Sequence, residues 1–145
     1  MLYMYTAIIT EIDGTFYAKV PDIDGCITTA NTLQDAILLI TDALNLSLTV
    51  LEDENIAPHA PTPQSDIPHN PCDILTVIQA DTIKYRSQTD SKAVRRNVSI
   101  PAWMAALVDK RGINCSKVLQ DDLVAVFKIV LALVRNHTLT ETAAL

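Results

Sequence analysis

A short strand pattern in the second half of the chain is the feature that most constrains its fold. Between residues 94 and 100, apolar and polar residues alternate with the period of a β-strand. The C-terminal half offers no second strand, and a lone strand leaves the hydrogen-bonding groups of both its edges unpaired. Pairing with the same strand of a second copy satisfies those groups. The sequence therefore predicts a homodimer, or a higher homo-oligomer, that shares a two-stranded ribbon.

Two helices follow the predicted strand. Pro101 suits the first turn of a helix, and Gly112 ends that helix after about ten residues. Asn114 can cap a second helix that begins at Cys115. The apolar residues of this second helix cover more than one face, so they serve either the dimer core alone or an additional contact that joins dimers or docks the N-terminal half. The main stripe consists of Val118, Leu119, Leu123, Val126, Phe127, Val130, Leu131 and Val134.

The polar face of the strand has the chemistry of a DNA-reading surface. It carries Arg95, Asn97 and Ser99. Arg can bond guanine bidentately, Asn can do the same to adenine, and a two-stranded ribbon fits the major groove. The two-fold axis of a dimer predicts a palindromic operator. Free N–H groups at the start of the second helix could hold a DNA phosphate. The candidate phosphate-binding residues are Asn114, Cys115, Ser116 and Lys117.

The segment RRNVSIPAWMAALVDKRGINCSKVLQDDL resembles the ribbon-helix-helix family in its alternating strand, Ile-Pro, short helix, Gly-x-Asn turn and second helix. The resemblance implies that the three base-reading positions of the family fall on Arg95, Asn97 and Ser99. It also implies that the phosphate-clamping helix start falls on residues 114–116. Arg96 departs from the pattern, because the family usually buries an apolar residue there.

The first half of the chain predicts a sheet covered by one helix. Asp13-Gly14 favours a tight hairpin between two strand patterns, and Cys26 to Ala30 continues as a third strand. Thr32 can cap a helix that runs to about Asp53. A Pro-rich loop at residues 57–71 leads to a last strand at residues 74–80, which gives the order β-β-β-α-β.

The two halves of the chain carry opposite charge. Residues 1–81 contain 12 acidic residues and 1 basic residue, a net charge of −11. Residues 82–145 contain 5 acidic and 10 basic residues, a net charge of +5. Such asymmetry indicates opposite partners, an anionic polymer for the basic half and a cationic molecule for the acidic half.

The segment FYAKVPDIDGCITTANTLQDAILLITDAL is similar to the N-terminal domain of HicB antitoxins, which has the motifs Pro-Asp-x-x-Gly-Cys and Thr-Leu-x-x-Ala. The resemblance implies a partial ribonuclease-H-like fold that binds and blocks HicA, a small basic toxin ribonuclease. We expect Asp22 and Asp24 to be candidates for toxin contact. The fold class expected is α+β, with domains at residues 1–86 and 92–136, a connector at 87–91 and a tail at 137–145.

Other functions fit the sequence less well. A nuclease would gather Glu11, Asp13, Asp22 and Asp24 around metal ions, but turn carboxylates beside Gly are poorly placed for a rigid site. The histidines and cysteines lack metal-ligand spacing, so the sequence predicts no catalytic residue, no metal site and no cofactor. A free-standing repressor whose N-terminal half binds a ligand or a protein remains the alternative to an antitoxin.

The cellular location follows from the cysteines and the apolar runs. Three widely spaced cysteines and an N-terminus without a basic signal region predict the reducing cytoplasm. The apolar run from Leu123 to Val134 is shorter than the roughly 20 residues needed to span a bilayer, so no membrane partner is expected.

Overall fold

The computed structural model describes the backbone of residues 1–143 and the side chains of residues 1–130 and Leu133. The chain forms two compact units, one from Met1 to Thr89 and one that begins at Asp90. The predicted stripe residues Leu131 and Val134 lie outside the described side chains. Each unit is considered by itself below.

The first unit is a four-stranded antiparallel sheet with one long helix on one face. Its strand order is β3-β2-β1-β4, so the predicted succession β-β-β-α-β and the α+β class are confirmed. A single 3-10 turn at Gln64–Asp66 interrupts the Pro-rich loop. The elements are β1 (Leu2–Ile12), β2 (Thr15–Lys19), β3 (Ile27–Ala30), α1 (Leu33–Asp53), β4 (Ile74–Asp81) and α2 (Thr82–Thr89).

The hairpin between β1 and β2 has the predicted turn. Ile12 pairs with Thr15, which leaves two residues in the loop. Asp13 and Gly14 have φ angles of 52° and 77°. Positive φ at both positions matches the twist of the flanking strands, and Asp and Gly tolerate it better than most residues. Local chemistry therefore fixes this turn.

Helix α1 covers the sheet with one apolar stripe. The hydroxyl oxygen of Thr32 accepts a hydrogen bond from the N–H of Asp35 at 3.1 Å, which confirms the predicted cap. Ala36, Ile40, Leu44 and Leu48 are each 0% exposed. The sheet contributes the other side of this core through Tyr3, Tyr5, Ala7, Ile9, Ala18, Val20, Ile78 and Ala80.

The length and composition of α1 would also allow it to cross a membrane, and it is the one helix among the described residues that passes this test. Its position accounts for the apolar composition. The buried stripe packs on the sheet, where four aliphatic residues at helical spacing are expected.

Residues 82–89, which include the first part of the connector predicted at 87–91, form a helix. Helix α2 runs from Thr82 to Thr89 and belongs to the first unit, which ends at Thr89. Asp81 caps it by accepting a hydrogen bond from the N–H of Lys84 at 3.1 Å. Arg86 lies 2.7 Å from Asp53 and 3.3 Å from Glu52. Tertiary ion pairs thus hold a segment whose own sequence carries no apolar stripe.

The second unit contains the two predicted helices. Helix α3 covers Ala102–Arg111 and ends at Gly112, which adopts the left-handed conformation with φ 62°. Helix α4 covers Cys115–Ala143. The predicted tail at residues 137–145 therefore overlaps α4, and residues 144 and 145 lie outside the described part of the chain.

Candidate nucleic-acid interface and acidic surface

The segment that carries the predicted base-reading residues is open to solvent. All residues from Asp90 to Ile100 are exposed, and none of them belongs to a helix or strand in the single chain. Arg95, Asn97 and Ser99 lie in this segment, with Val94 and Val98 exposed by 71% and 64%. A strand needs a partner for its backbone groups, so the predicted ribbon could form only with a second copy and stays a prediction.

The N-terminus of α4 is exposed to solvent. The side-chain oxygen of Asn114 accepts a hydrogen bond from the N–H of Lys117 at 3.1 Å, which confirms it as the cap. The residues between them, Cys115 and Ser116, are exposed. Lys117 forms an exposed ion pair with Asp121 at 3.4 Å. An anion at this helix start would meet backbone N–H groups and the positive end of the helix dipole.

The apolar side chains that the structure describes in the second unit do not form a core within one chain. From Asp90 to Val130, no described residue is buried, and only Ala105, Val108 and Leu119 are partly buried. Side chains exposed by 41–64% include Trp103, Leu107, Val118, Leu123, Val126, Phe127, Ile129 and Val130. A soluble monomer rarely exposes an apolar surface of this extent. Exposed apolar surfaces of this kind are typical of sites that contact another molecule.

Asp22, one of the two predicted toxin-contact residues, anchors the Pro-rich loop. Its side chain is 6% exposed. One carboxylate oxygen accepts a hydrogen bond from the backbone N–H of Thr62 at 2.9 Å, and the other accepts one from the Thr62 hydroxyl. Sequence reasoning missed this bond, because the two residues are 40 positions apart and no local pattern links them. Asp24 is exposed.

Other acidic residues of the first unit also have structural partners. Glu52 accepts hydrogen bonds from the hydroxyls of Tyr3 and Thr82 at 3.0 and 2.8 Å. Burial acts to lower the pKa of Arg86, but the carboxylates of Asp53 and Glu52 outweigh it and raise that pKa. Among the described residues, no group of three His, Cys, Asp or Glu side chains could hold a metal ion.

Cys26 is a core residue directly before β3. It is 1% exposed, and burial raises the pKa of its thiol, although a hydrogen bond with Ser47 opposes the shift. A thiol held in its protonated form is a poor nucleophile. Cys26 therefore packs in the core and is not placed to act as a nucleophile.

Comparison with known proteins gives the chain its family. The model of the HicB-like antitoxin of bacterial toxin-antitoxin systems matches residues 5–121, which include parts of both units. UPF0150 protein ssr1765 of Synechocystis sp. is 36% identical over 75 residues, or 51% of this chain and 90% of that protein. An uncharacterized 14.9 kDa protein from the rep-hol intergenic region of Haemophilus phage HP1 is 26% identical over 110 residues, or 74% of this chain and 80% of that protein.

Solved structures are similar in fold. A chain of a toxin-antitoxin complex from Streptococcus pneumoniae matches with a TM-score of 0.53 and 17% identity, over 86% of this chain and 98% of that chain. The antitoxin HicB of Burkholderia pseudomallei matches with a TM-score of 0.49 and 24% identity, over 83% of this chain and 95% of that chain. A mixed α+β fold built on a four-stranded antiparallel sheet, matched over most of its length by a family model, identifies this chain as a member of the HicB-like antitoxins of bacterial toxin-antitoxin systems.

Proposed function

We propose that this chain is the antitoxin of a HicAB-type system, which neutralises a small basic HicA-like ribonuclease by direct binding and represses its own operon. The observation that carries the proposal is the contrast between its two units. The first has a complete core and a strongly acidic surface, whereas the second exposes its apolar residues and carries most of the basic ones. Both partners would be met in the cytoplasm.

The first unit would hold the toxin. Residues 1–89 contain 12 acidic and 3 basic residues, a net charge of −9. A surface of this charge accelerates encounter with a cationic protein and selects against anionic ones. Its sheet and helix would form a partial ribonuclease-H-like fold. This unit would bind the toxin without catalysing hydrolysis. Asp24 would face the toxin, and Asp22 would contribute by fixing the loop beside it.

The second unit would bind operator DNA as a ribbon-helix-helix dimer. Two copies of residues 94–100 would pair as antiparallel strands and place Arg95, Asn97 and Ser99 of each chain in the major groove. Helices α3 and α4 of both copies would bury the apolar side chains that one copy exposes. The N-terminal end of α4 would then clamp a phosphate on each side of a palindromic site.

Growth rescue tests the division of labour. Any small, basic reading frame found beside this gene is expressed with the full chain, with residues 1–89 or with residues 90–145, and growth and co-purification are measured. We expect the full chain and residues 1–89 to rescue growth and to co-purify with that product. Rescue by residues 90–145 alone would contradict the assignment. A plain repressor, the alternative function, would rescue with neither piece.

Substitutions on the strand test base reading. Arg95→Ala and Asn97→Ala should each weaken operator binding by about 1–3 kcal/mol and relax the base preference. Arg96→Ala is the matched control, since it removes the neighbouring charge from the other face of the strand. It should weaken binding to operator and random DNA alike. Equal losses on both DNAs for Arg95→Ala and Asn97→Ala would rule out base reading by these residues.

A further inference from the structure

Strand β4 forms one edge of the sheet and is paired on one side. Its register with β1 runs from Leu2 opposite Asp81 to Ile9 opposite Ile74. No other strand of the first unit lies beyond it in the sheet order. The opposite edge strand, β3, has 4 residues, whereas β4 has 8. Of the two edge strands, β4 is therefore the longer, and no strand of the first unit pairs with its outer side.

The usual protections of an edge strand are missing from β4. Its sequence, ILTVIQAD, contains no Pro, Lys or Arg. In the part of the chain that the structure describes, the backbone of residues 74–80 forms no hydrogen bonds beyond the ladder with β1, which the bond from the Thr82 N–H to the Met1 carbonyl continues. Natural proteins rarely leave a long apolar edge in this state, because its free N–H and C=O groups are a template for another strand.

The side chains of β4 also favour a protein partner. Val77 is 51% exposed and Ile74 is 41% exposed. A strand laid along β4 would satisfy the free backbone groups and would pack β-branched side chains beside both residues. The edge therefore offers both the main-chain and the side-chain contacts of strand addition.

The negative charge of the first unit favours a cationic protein as the partner of β4. Two first units joined edge to edge would bring together two bodies that each carry a net charge of −9. Asp73 lies directly before β4, and its pKa is lowered mainly by the hydrogen bond from Thr10, so it adds a fixed negative charge at that end of the strand. Like charges oppose self-pairing, and a cationic protein gains from the same field.

We propose that the toxin adds a strand to β4 and extends the sheet from four strands to five. The proposal deepens the proposed function and rests on it. The partner is a basic protein that presents an extended segment of about eight residues with β-branched side chains, a length set by β4 itself. Affinity would come mainly from main-chain hydrogen bonds, and the acidic surface would supply attraction and orientation.

Amide hydrogen exchange tests the proposal on the full chain. In the free protein, the amides of residues 74–81 that point away from β1 should exchange fast, while those that point toward β1 are protected. Binding of a small basic protein that co-purifies with the full chain in the growth-rescue experiment should slow the fast set at least a hundredfold. Unchanged exchange in β4 while the complex forms would overturn strand addition and leave the antitoxin function standing. Absence of a complex would sink both.

A second outcome would identify a different occupant. If the fast amides of β4 become protected as the concentration of the antitoxin alone rises, a second copy pairs there and the proposal is wrong. Protection confined to the exposed face of α1 would also overturn it.

A pair of charge substitutions provides an independent measurement. Val77→Lys places a cation on the open edge strand, whereas Ile27→Lys places one on β3 at the other edge, where the side chain is 69% exposed. Binding of the basic protein should weaken at least tenfold for Val77→Lys and by much less for Ile27→Lys. Equal affinities of the two variants would contradict binding at β4.

Discussion

The two units of this chain differ in where their apolar side chains lie. In the first unit, α1 and the sheet enclose a core in which Leu44 and Leu48 are 0% exposed. In the second, no described residue from Asp90 to Val130 is buried. The first unit gains free energy from apolar burial within one chain, whereas the described side chains of the second unit gain little of it there. The comparison teaches that the first unit has its own core, whereas the described side chains of the second unit form none within one chain.

The core of the first unit offers the largest test of this contrast. Leu44→Ala should lower the free energy of unfolding by about 2–5 kcal/mol, because it removes packed methyl groups and leaves a cavity. Leu38→Ala is the matched control on the same helix, where the side chain is 68% exposed. Urea denaturation of residues 1–89 gives both values. Similar losses for the two variants would contradict the core described for this unit.

The anchoring of α2 should have a smaller effect on the same unit. Arg86→Ala removes the cation beside Glu52, whose side chain is 10% exposed, and should cost about 1–3 kcal/mol. Lys84→Ala, on an exposed position of the same helix, should change the unfolding free energy by less than about 0.5 kcal/mol. If Arg86→Ala also changes the unfolding free energy by less than about 0.5 kcal/mol, α2 does not depend on these ion pairs.

The two units should differ in how their stability depends on protein concentration. Each tenfold dilution of the full chain should lower the apparent stability of the second unit by about 1.4 kcal/mol, as expected for a dimer that folds on association. Circular dichroism at several concentrations measures the loss of helix. Residues 1–89 should unfold at the same urea concentration throughout. A helical signal independent of concentration in residues 90–145 would show that this unit folds without a partner.

The smallest expected effect is the dependence of the stability of the first unit on acidic pH. The carboxylate of Asp73 accepts a hydrogen bond from the Thr10 hydroxyl at 2.7 Å, which is the main cause of its lowered pKa. Because the folded-state pKa lies below the unfolded one, the resulting stability is present above about pH 4 and is lost as the pH falls through the folded-state value. Thr10→Val should make the urea midpoint of residues 1–89 less sensitive to acid. Thr29→Val, elsewhere on the sheet, should leave the acid response as it is in the parent.

Several features of the fold could be predicted because short segments determine them. Asp13-Gly14 supplies the positive φ angles of the hairpin, and Thr32 and Asn114 supply caps within three residues of the N–H groups they satisfy. Gly112 ends α3 in the left-handed conformation that favours glycine. In each case the sequence signal and the structure that it determines lie within one turn of backbone.

The candidate site residues also differ in whether local sequence could identify them. Arg95, Asn97 and Ser99 could be singled out because the alternation of polar and apolar residues places them on one face of a predicted strand. The anchoring role of Asp22 could not, since its partner Thr62 lies across the Pro-rich loop. The helical state of residues 82–89 was missed for the same reason. Arg86 is held by Glu52 and Asp53, which belong to another helix.

The sequence by itself determined the hairpin turn, the helix caps and the order of the strands of the first unit. Only the tertiary structure decided which carboxylates hold the first unit together and which edge of its sheet stays open. The physical reason is range. Backbone torsion preferences and capping bonds act between near neighbours in sequence, whereas burial and ion pairing depend on residues that only folding brings together.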